Sequence, residues 1–461
     1  MTIFAALNFT SMFQKMIRAS VKMVQRWLPE PFIFAILLTF IAFVVAMPVC
    51  HQTPLEVLEH WGNGLWGLLE FAMQMALVLV CGTTLADAPS VRRGLNFMAG
   101  LPQKPAGTIA LVSLVSAIAC WINWGFGLIV GVVFAKEIAR KMSGVDYRLL
   151  IAAAYSGFVV WHGGLSGSIP LALATSGTSL ERTTMGVVTD GISISQTIFA
   201  LPNLLISVLV ILSLVVVNAL MHPKRDRVVE IDRKLLTEED VLERVVPVTP
   251  AEKMEHSALL GYLVAIMGLG YLFLRLFVRG GHLDLNSVIM LFLFLGIILH
   301  KTPINYVKSL TKAAVGSAGI ILQFPFYAGI MGIMVGKSAD GLSLAGAISN
   351  LCISISNQYT FPLSTFLSAG IVNVFVPSGG GQWAVQAPIM MPAGQALGVS
   401  PAITGMAIAW GDAWTNLIQP FWAIPALAIA KLGAKDIMGY CLVNLIATGL
   451  IICAGLLIWV M

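Results

Sequence analysis

A chain of 461 residues that is 58% hydrophobic and only 11% charged, with a mean hydropathy of +0.88, excludes a water-soluble globule, which needs about twice that share of charged side chains to cover its surface. The net charge of +5 sits in short loops and offers no basic face to nucleic acid, so no nucleic-acid partner is expected. The six cysteines (Cys50, Cys81, Cys120, Cys352, Cys441, Cys453) are scattered without CxxC spacing and indicate neither a disulfide framework nor a metal cluster.

Residues 1–30 carry Lys15, Arg18, Lys22 and Arg26 but lack the compact apolar core and cleavage site of a secretory leader. They read as an amphipathic segment on the inner membrane surface, with the N-terminus cytoplasmic. A first repeat over 31–221 holds apolar runs at 31–49, 65–86, 149–176 and 194–221. Two short apolar arms, 106–122 and 126–135, lie between the second and third runs and meet at a polar, glycine-bearing tip. A cytoplasmic linker with one extra apolar segment follows over 222–285, charged at 222–256 and apolar at 257–278. The second repeat, 286–461, has runs at 313–336, 401–430 and 437–461 and its own arms at 361–376 and 384–398. Most runs reach the ~20 residues that a helix needs to cross ~30 Å of hydrocarbon. The arms are near or below that length and are expected to be re-entrant hairpins.

The two halves are copies. Asn123-Trp124-Gly125-Phe126-Gly127 leads to Trp161-His162-Gly163-Gly164-Leu165-Ser166-Gly167-Ser168-Ile169-Pro170, and Asn373 with Pro377-Ser378-Gly379-Gly380-Gly381-Gln382 leads to Gly411-Asp412-Ala413-Trp414-Thr415-Asn416-Leu417-Ile418-Gln419-Pro420. Asn123 to Pro170 and Asn373 to Pro420 both span 47 positions. His51-Gln52-Thr53-Pro54 likewise matches His300-Lys301-Thr302-Pro303, and Gln74 matches Gln323. With an even number of crossings in each half, the extra segment turns the second copy upside down. Cation placement agrees with a cytoplasmic N-terminus: 23 of the 27 Lys and Arg fall on the inner side, and only Arg182, Arg275, Arg279 and Lys337 fall outside. The expected fold class is therefore an all-α integral membrane protein, an inverted-repeat secondary transporter with two re-entrant hairpins, two discontinuous helices and about nine membrane crossings.

Non-helical backbone at membrane depth is tolerated only where it lines a cavity or is buried in protein, and paired interruptions in two halves point to a transporter's binding site. Such stretches are expected at 123–127, 162–168, 377–382 and 411–416. Half-helix N-termini there attract anions, which suits a carboxylate substrate. The residues expected to bind it are Asn123, Trp124, Gly125, Gly163, Gly164, Ser166, Ser168, Asn373, Ser378, Gly379, Gly380, Gly381, Gln382, Asn416 and Gln419. Asp412, an acid inside an apolar run, is a functional candidate by default, and ion coupling is expected through Asp412, Thr415 and His162. Na⁺ would sit near Asn123, Asn373 and Asp412. Against this stand packing glycines, a capping Asp412 and a structural His162. Trp124, Trp161, Trp383, Trp410, Trp414 and Trp422 crowd around the breaks and could wall an apolar tail. An enzyme would need a nucleophile with its base, paired carboxylates or an HExxH cluster, and none is present; a channel fits paired interruptions less well than an occluding carrier.

These motifs resemble the bacterial short-chain fatty acid transporters, the type associated with acetoacetate and butyrate uptake. The match rests on Arg26-Trp27-Leu28-Pro29, Ile122-Asn123-Trp124-Gly125-Phe126-Gly127-Leu128, Gln323-Phe324-Pro325-Phe326-Tyr327-Ala328-Gly329-Ile330, Val376-Pro377-Ser378-Gly379-Gly380-Gly381, Gln419-Pro420-Phe421-Trp422-Ala423 and Asp436-Ile437-Met438-Gly439-Tyr440. His162 stands where the family is expected to have glycine, and Asp412 where it is expected to have glutamate. The resemblance implies a mobile transport domain beside a scaffold, a homodimer in the bacterial inner membrane, and elevator-type symport of a small monocarboxylate with H⁺ or Na⁺. No other cofactor is expected. The rival is a dicarboxylate or other organic-anion carrier of the same superfamily; it ranks lower because no Arg or Lys lies in the expected site.

Overall fold

The computed structural model describes residues 2–100, 104–231, 248–280 and 285–461. Among them the chain is helical without strands. The cations Arg233, Lys234 and Arg244 of the expected cytoplasmic linker lie outside the described residues.

Helix α1 (Thr2–Trp27) precedes the first repeat. That repeat comprises α2 (Pro31–Cys50), α3 (Pro54–Gly64), α4 (Leu69–Asp87), α5 (Pro89–Ala99), α6 (Pro105–Ile122), α7 (Trp124–Lys141), α8 (Tyr147–Ser156), α9 (Ser168–Ala174), α10 (Thr178–Thr183) and α11 (Leu201–Met221). Next come α12 (Pro250–Glu255) and α13 (Ala258–Phe273), which runs on as a π turn to Val278. The second repeat has α14 (Leu285–His300), α15 (Pro303–Ala314), α16 (Ala318–Val335), α17 (Leu344–Ser354), α18 (Phe361–Phe375), α19 (Gly379–Ala396), α20 (Pro401–Thr415), α21 (Pro420–Ala430) and α22 (Ala434–Val460). Seven of the described helical stretches are long and apolar enough to cross a membrane.

The repeated Thr-Pro pair is a helix stop followed by a helix start. His51 and Lys301 adopt left-handed φ values of 55° and 67° that end α2 and α14. Pro54 and Pro303 then occupy the first turn of the next helix, where the missing N–H costs nothing. Thr53 completes a capping box with Glu56.

Two contacts establish that the repeats are antiparallel. The loop after α2 meets the end of α16, through His51 Nδ1 at 3.6 Å from Asp340 and a Gln52 amide that donates to Gly336 O at 3.0 Å. The end of α4 meets α15, where Ser309 Oγ lies 3.5 Å from Asp87. The first helix of one copy thus finishes beside the second helix of the other, in both directions. Chains that traverse the same slab can do this only if the copies run oppositely. Helix pairing repeats the exchange, with α2 packed on α16 and α14 on α4.

The unwound stretches are shorter than the sequence suggests. Hairpin one turns on Asn123 alone, whose Oδ1 accepts from Phe126 N at 3.0 Å and caps α7. Hairpin two turns on Val376–Ser378, and Ser378 caps α19. The first broken helix runs α8 into a 3₁₀ segment, Gly157–Gly163, opens at 164–167 and resumes as α9. The second opens at 416–419, between α20 and α21. Residues 124–127, 379–382 and 411–415, expected to be non-helical, are therefore helical. The low-dielectric surroundings explain the correction: each unpaired backbone group costs several kcal/mol there, so a helix continues until a side-chain cap relieves it. A further difference lies at 194–200, where a 3₁₀ turn capped by Ser193 replaces the start of the expected helix, and α11 begins only beside Pro202. Helices α5 and α17, one in each copy between span and hairpin, were not expected at all.

Gly127 is required by packing, since a Cβ there would overlap the backbone of Cys120 on the facing arm, while Gly107 faces open space. Gly127→Ala is expected to destabilise the protein by about 1–3 kcal/mol, the usual cost of overpacking, seen as a lowered unfolding midpoint of the detergent-solubilised protein. Gly107→Ala should be neutral or slightly stabilising; equal effects would remove the close approach of the two arms.

Candidate functional site

Each hairpin tip docks on the broken helix of its own repeat. At the first, the Trp124 amide donates to Ser166 Oγ at 2.9 Å and the Leu165 amide to Trp121 O at 2.8 Å. Gly164 makes this possible, because a Cβ there would strike the Trp121 carbonyl. At the second, the Asn373 side-chain NH₂ faces Asp412 O at 2.8 Å, Thr415 Oγ1 at 2.9 Å and Asn416 Oδ1 at 2.7 Å, so its two protons are shared among three acceptors. Thr415 Oγ1 donates to Gly370 O at 2.9 Å and Gln419 Nε2 to Val374 O at 2.5 Å.

The repeats then meet each other. Gly379, opening α19 at the second tip, lies against the first break, where an added Cβ would overlap Ser168 Oγ and come within 2.6 Å of His162 Nε2. Tyr155 of α8 donates to Asn416 O in the second break at 2.5 Å. Trp124 at the first tip stands edge-on to Trp422 of α21, with ring centroids 5.2 Å apart.

At the centre, His162 Nε2 lies 3.1 Å from Asp412 Oδ1, with both side chains fully buried. The two residues occupy equivalent places in the repeats, 250 positions apart. Neither ring nitrogen and neither carboxylate oxygen has a well-directed hydrogen bond. A structural histidine fixes one nitrogen on a carbonyl, and a capping aspartate takes backbone amides; neither description fits. An isolated charge here would cost several kcal/mol, so the two groups belong together.

Aromatic rings surround the pair. Trp161 lies 3.6 Å from the His162 ring, stacks on Phe158 at 5.6 Å and reaches Trp422 at 6.0 Å, while Phe158 lies 5.1 Å from Trp422. Several buried donors there lack partners, Trp161 Nε1, Asn416 Nδ2 and Ser168 Oγ, as does Tyr327 Oη beside Phe421. An indole N–H can only donate, so Trp161 lacks an acceptor. The acceptors Asn373 Oδ1 and Gln382 Oε1 are likewise unpartnered.

Other expected residues have different surroundings. Gln382 Nε2 donates to Ala369 O and Gln386 Oε1, at 2.9 and 2.7 Å, inside hairpin two. Gly125 is buried in the first turn of α7. Gly163 is a spacer, since a Cβ there would come within 2.6 Å of the Trp410 ring; Gly381 packs near Met331; Gly380 is open on its Cα face. Trp410 is tied to Asn203 and Trp414 to Leu445 O, so they brace the breaks from behind, and Trp383 is buried within α19. No group of three or more His, Cys, Asp or Glu able to hold a metal occurs among the described residues. Tyr155, Tyr327 and Asn203 escaped the sequence reading, although a polar atom within an apolar run was the available signal. So did the buried chain in which Asn444 donates to Asn218, and Asn218 to Ser113 and Ser156.

A sequence profile described as short chain fatty acid transporter matches residues 12–459. A protein of Escherichia coli K12, named provisionally as a short-chain fatty acid transporter, is 43% identical over 447 residues, covering 96% of this chain and 99% of its own. A Haemophilus influenzae Rd protein of the same provisional name is 42% identical over 449 residues, with 96% and 99% covered. Among solved structures, the Alcanivorax borkumensis YdaH transporter aligns with 94% of this chain and 98% of its own at 15% identity and a TM-score of 0.44.

Asn373 holds the second tip to the second break through one side chain. Asn373→Ala is expected to cost about 2–3 kcal/mol, since Asn416 and Thr415 lose a buried partner, and to lower the unfolding midpoint by several degrees. An unchanged midpoint would show that the tip is held by other contacts.

Proposed function

Because this chain belongs to the short-chain fatty acid transporter family and is a multi-pass membrane protein, we propose that it takes up short-chain monocarboxylates such as acetoacetate and butyrate across the bacterial inner membrane by proton symport. It acts as a carrier, not an enzyme. The observation that carries the reading is the dry His162–Asp412 pair, built from matched positions of the two repeats.

A pair of titratable groups, one of them an imidazole, suits a proton better than Na⁺, which takes oxygen ligands. Holding one proton, the pair is neutral whichever residue carries it. A second proton gives +1, which balances one substrate carboxylate in the same cavity. Loaded and empty cradles would then both cross without net charge. Moving the anion alone into a cell at ~100 mV, inside negative, costs ~2.3 kcal/mol, roughly fiftyfold in concentration. The carboxylate would be received by the unpartnered donors Trp161 Nε1, Asn416 Nδ2 and Ser168 Oγ, and its short tail by the Trp124, Phe158 and Trp422 rings. None of the residues gathered around the pair is Lys or Arg, which disfavours a dicarboxylate, since a second negative charge would go unmatched.

Alternating access would move both hairpins and both broken helices as one body against α2, α4, α14 and α16. A cavity of about 500 Å³ between α16, α17 and α19, lined by Lys337 and Gly381 among others, supports an approach to the second tip from the outer side.

Labelled butyrate uptake into proteoliposomes tests this. Accumulation should follow an inward proton gradient and stay within about twofold when a potential is imposed without a pH difference. Accumulation driven by Na⁺ at constant pH would replace the proton with Na⁺ held near Asn373 Oδ1 and Asp412. Asp412→Asn should abolish gradient-driven accumulation by a folded protein, and full accumulation by that variant would remove Asp412 from coupling.

A further inference from the structure

Away from the cradle, a groove of about 580 Å³ opens between α1, the end of α11, the start of α8 and the first turns of α22. Five of the side chains lining it are cations, Arg18, Lys22, Arg148, Lys224 and Arg227, and none is acidic. We infer that it binds the headgroup of an anionic phospholipid of the cytoplasmic leaflet.

Gathered cations repel one another unless an anion sits among them, and the protein's own acids are engaged elsewhere. Asp146 accepts from the Leu149 and Val229 amides at 3.0 Å each, and Asp436 from the Gly433 amide at 2.9 Å. Among the described residues Arg227 pairs with the exposed Asp226 on its own turn, at 3.4 Å. Arg148 Nε is shut from solvent with no hydrogen-bond partner, a donor prepared for a ligand oxygen. The floor is apolar, with Ile17 and Met221 buried at 3% and 1% exposure. A free inorganic anion has no use for such a floor, whereas a glycerol backbone and the start of an acyl chain do. Helix α1 brings the groove to lipid, because Met12, Met16, Met23 and Trp27 remain exposed along it, as in a helix lying in the headgroup layer. Basic pockets on the inner side of membrane proteins recognise anionic headgroups by this combination of charge and depth.

The lipid would also join the repeats. Gln14 of α1 donates to Leu220 O at the end of α11, at 2.9 Å, and Ser20 to Gly439 O in α22, at 2.7 Å. An occupant therefore strengthens the strap between the last helices of both copies.

The full-length protein, purified in neutral detergent, is titrated with phosphatidylglycerol or phosphatidylcholine while its unfolding midpoint is recorded. Phosphatidylglycerol should raise the midpoint by at least ~3 °C at saturation, less in 0.5 M salt, and phosphatidylcholine should not. Lys22→Gln/Arg227→Gln alters two exposed rim residues without touching the core, so it should keep the unliganded midpoint and lose most of the shift. Arg148→Gln should retain one fewer phosphatidylglycerol per chain by native mass spectrometry. Equal protection by phosphatidylcholine or by inorganic phosphate, or an undiminished shift in the rim variant, would overturn the site.

Discussion

Everything at the centre of this protein depends on an imidazole and a carboxylate held 3.1 Å apart where water does not reach. Each repeat supplies one of the two, His162 from the first and Asp412 from the second. The antiparallel arrangement of the copies is what brings equivalent positions together at one point. The tips and breaks then settle around that point, because each half-helix needs a neighbour to receive its exposed amides and carbonyls.

The same need explains the economy of the interruptions. A turn of one residue at Asn123 and breaks of four at 164–167 and 416–419 leave few unpaired backbone groups, and side chains cap most of those. Glycines contribute closeness more than looseness here: Gly127, Gly164 and Gly379 mark places where two backbones, or a backbone and a polar side chain, touch. Gly380, beside Gly379 at the second tip, instead faces open space.

Much of the architecture was legible before any coordinates. The matched His-x-Thr-Pro stretches and the matched 47-residue intervals record the repeat in the sequence directly. The position of the second break was read one turn too early, because Gly-Asp-Ala-Trp-Thr looks like a breaker by propensity measured in water, whereas in an apolar surrounding the backbone bonds prevail. The encounter of His162 with Asp412 was unreadable, since spacing shows that two positions are equivalent but not that they touch. Tyr155 and Tyr327 illustrate a related limit: a hydroxyl inside an apolar helix marks a position, but not its partner or its lack of one.

The cross-ties between the halves bear on movement. Tyr147 of α8 donates to Ala430 O at the end of α21, at 2.9 Å, Tyr155 reaches the second break, and Trp410 is linked through Asn203 to Gly163 O. On the alternating access proposed above, a body laced in this way would slide along its outer seam, where α4 faces α7 and α16 faces α21, and the short helices α5 and α17 that bridge this seam would supply the slack.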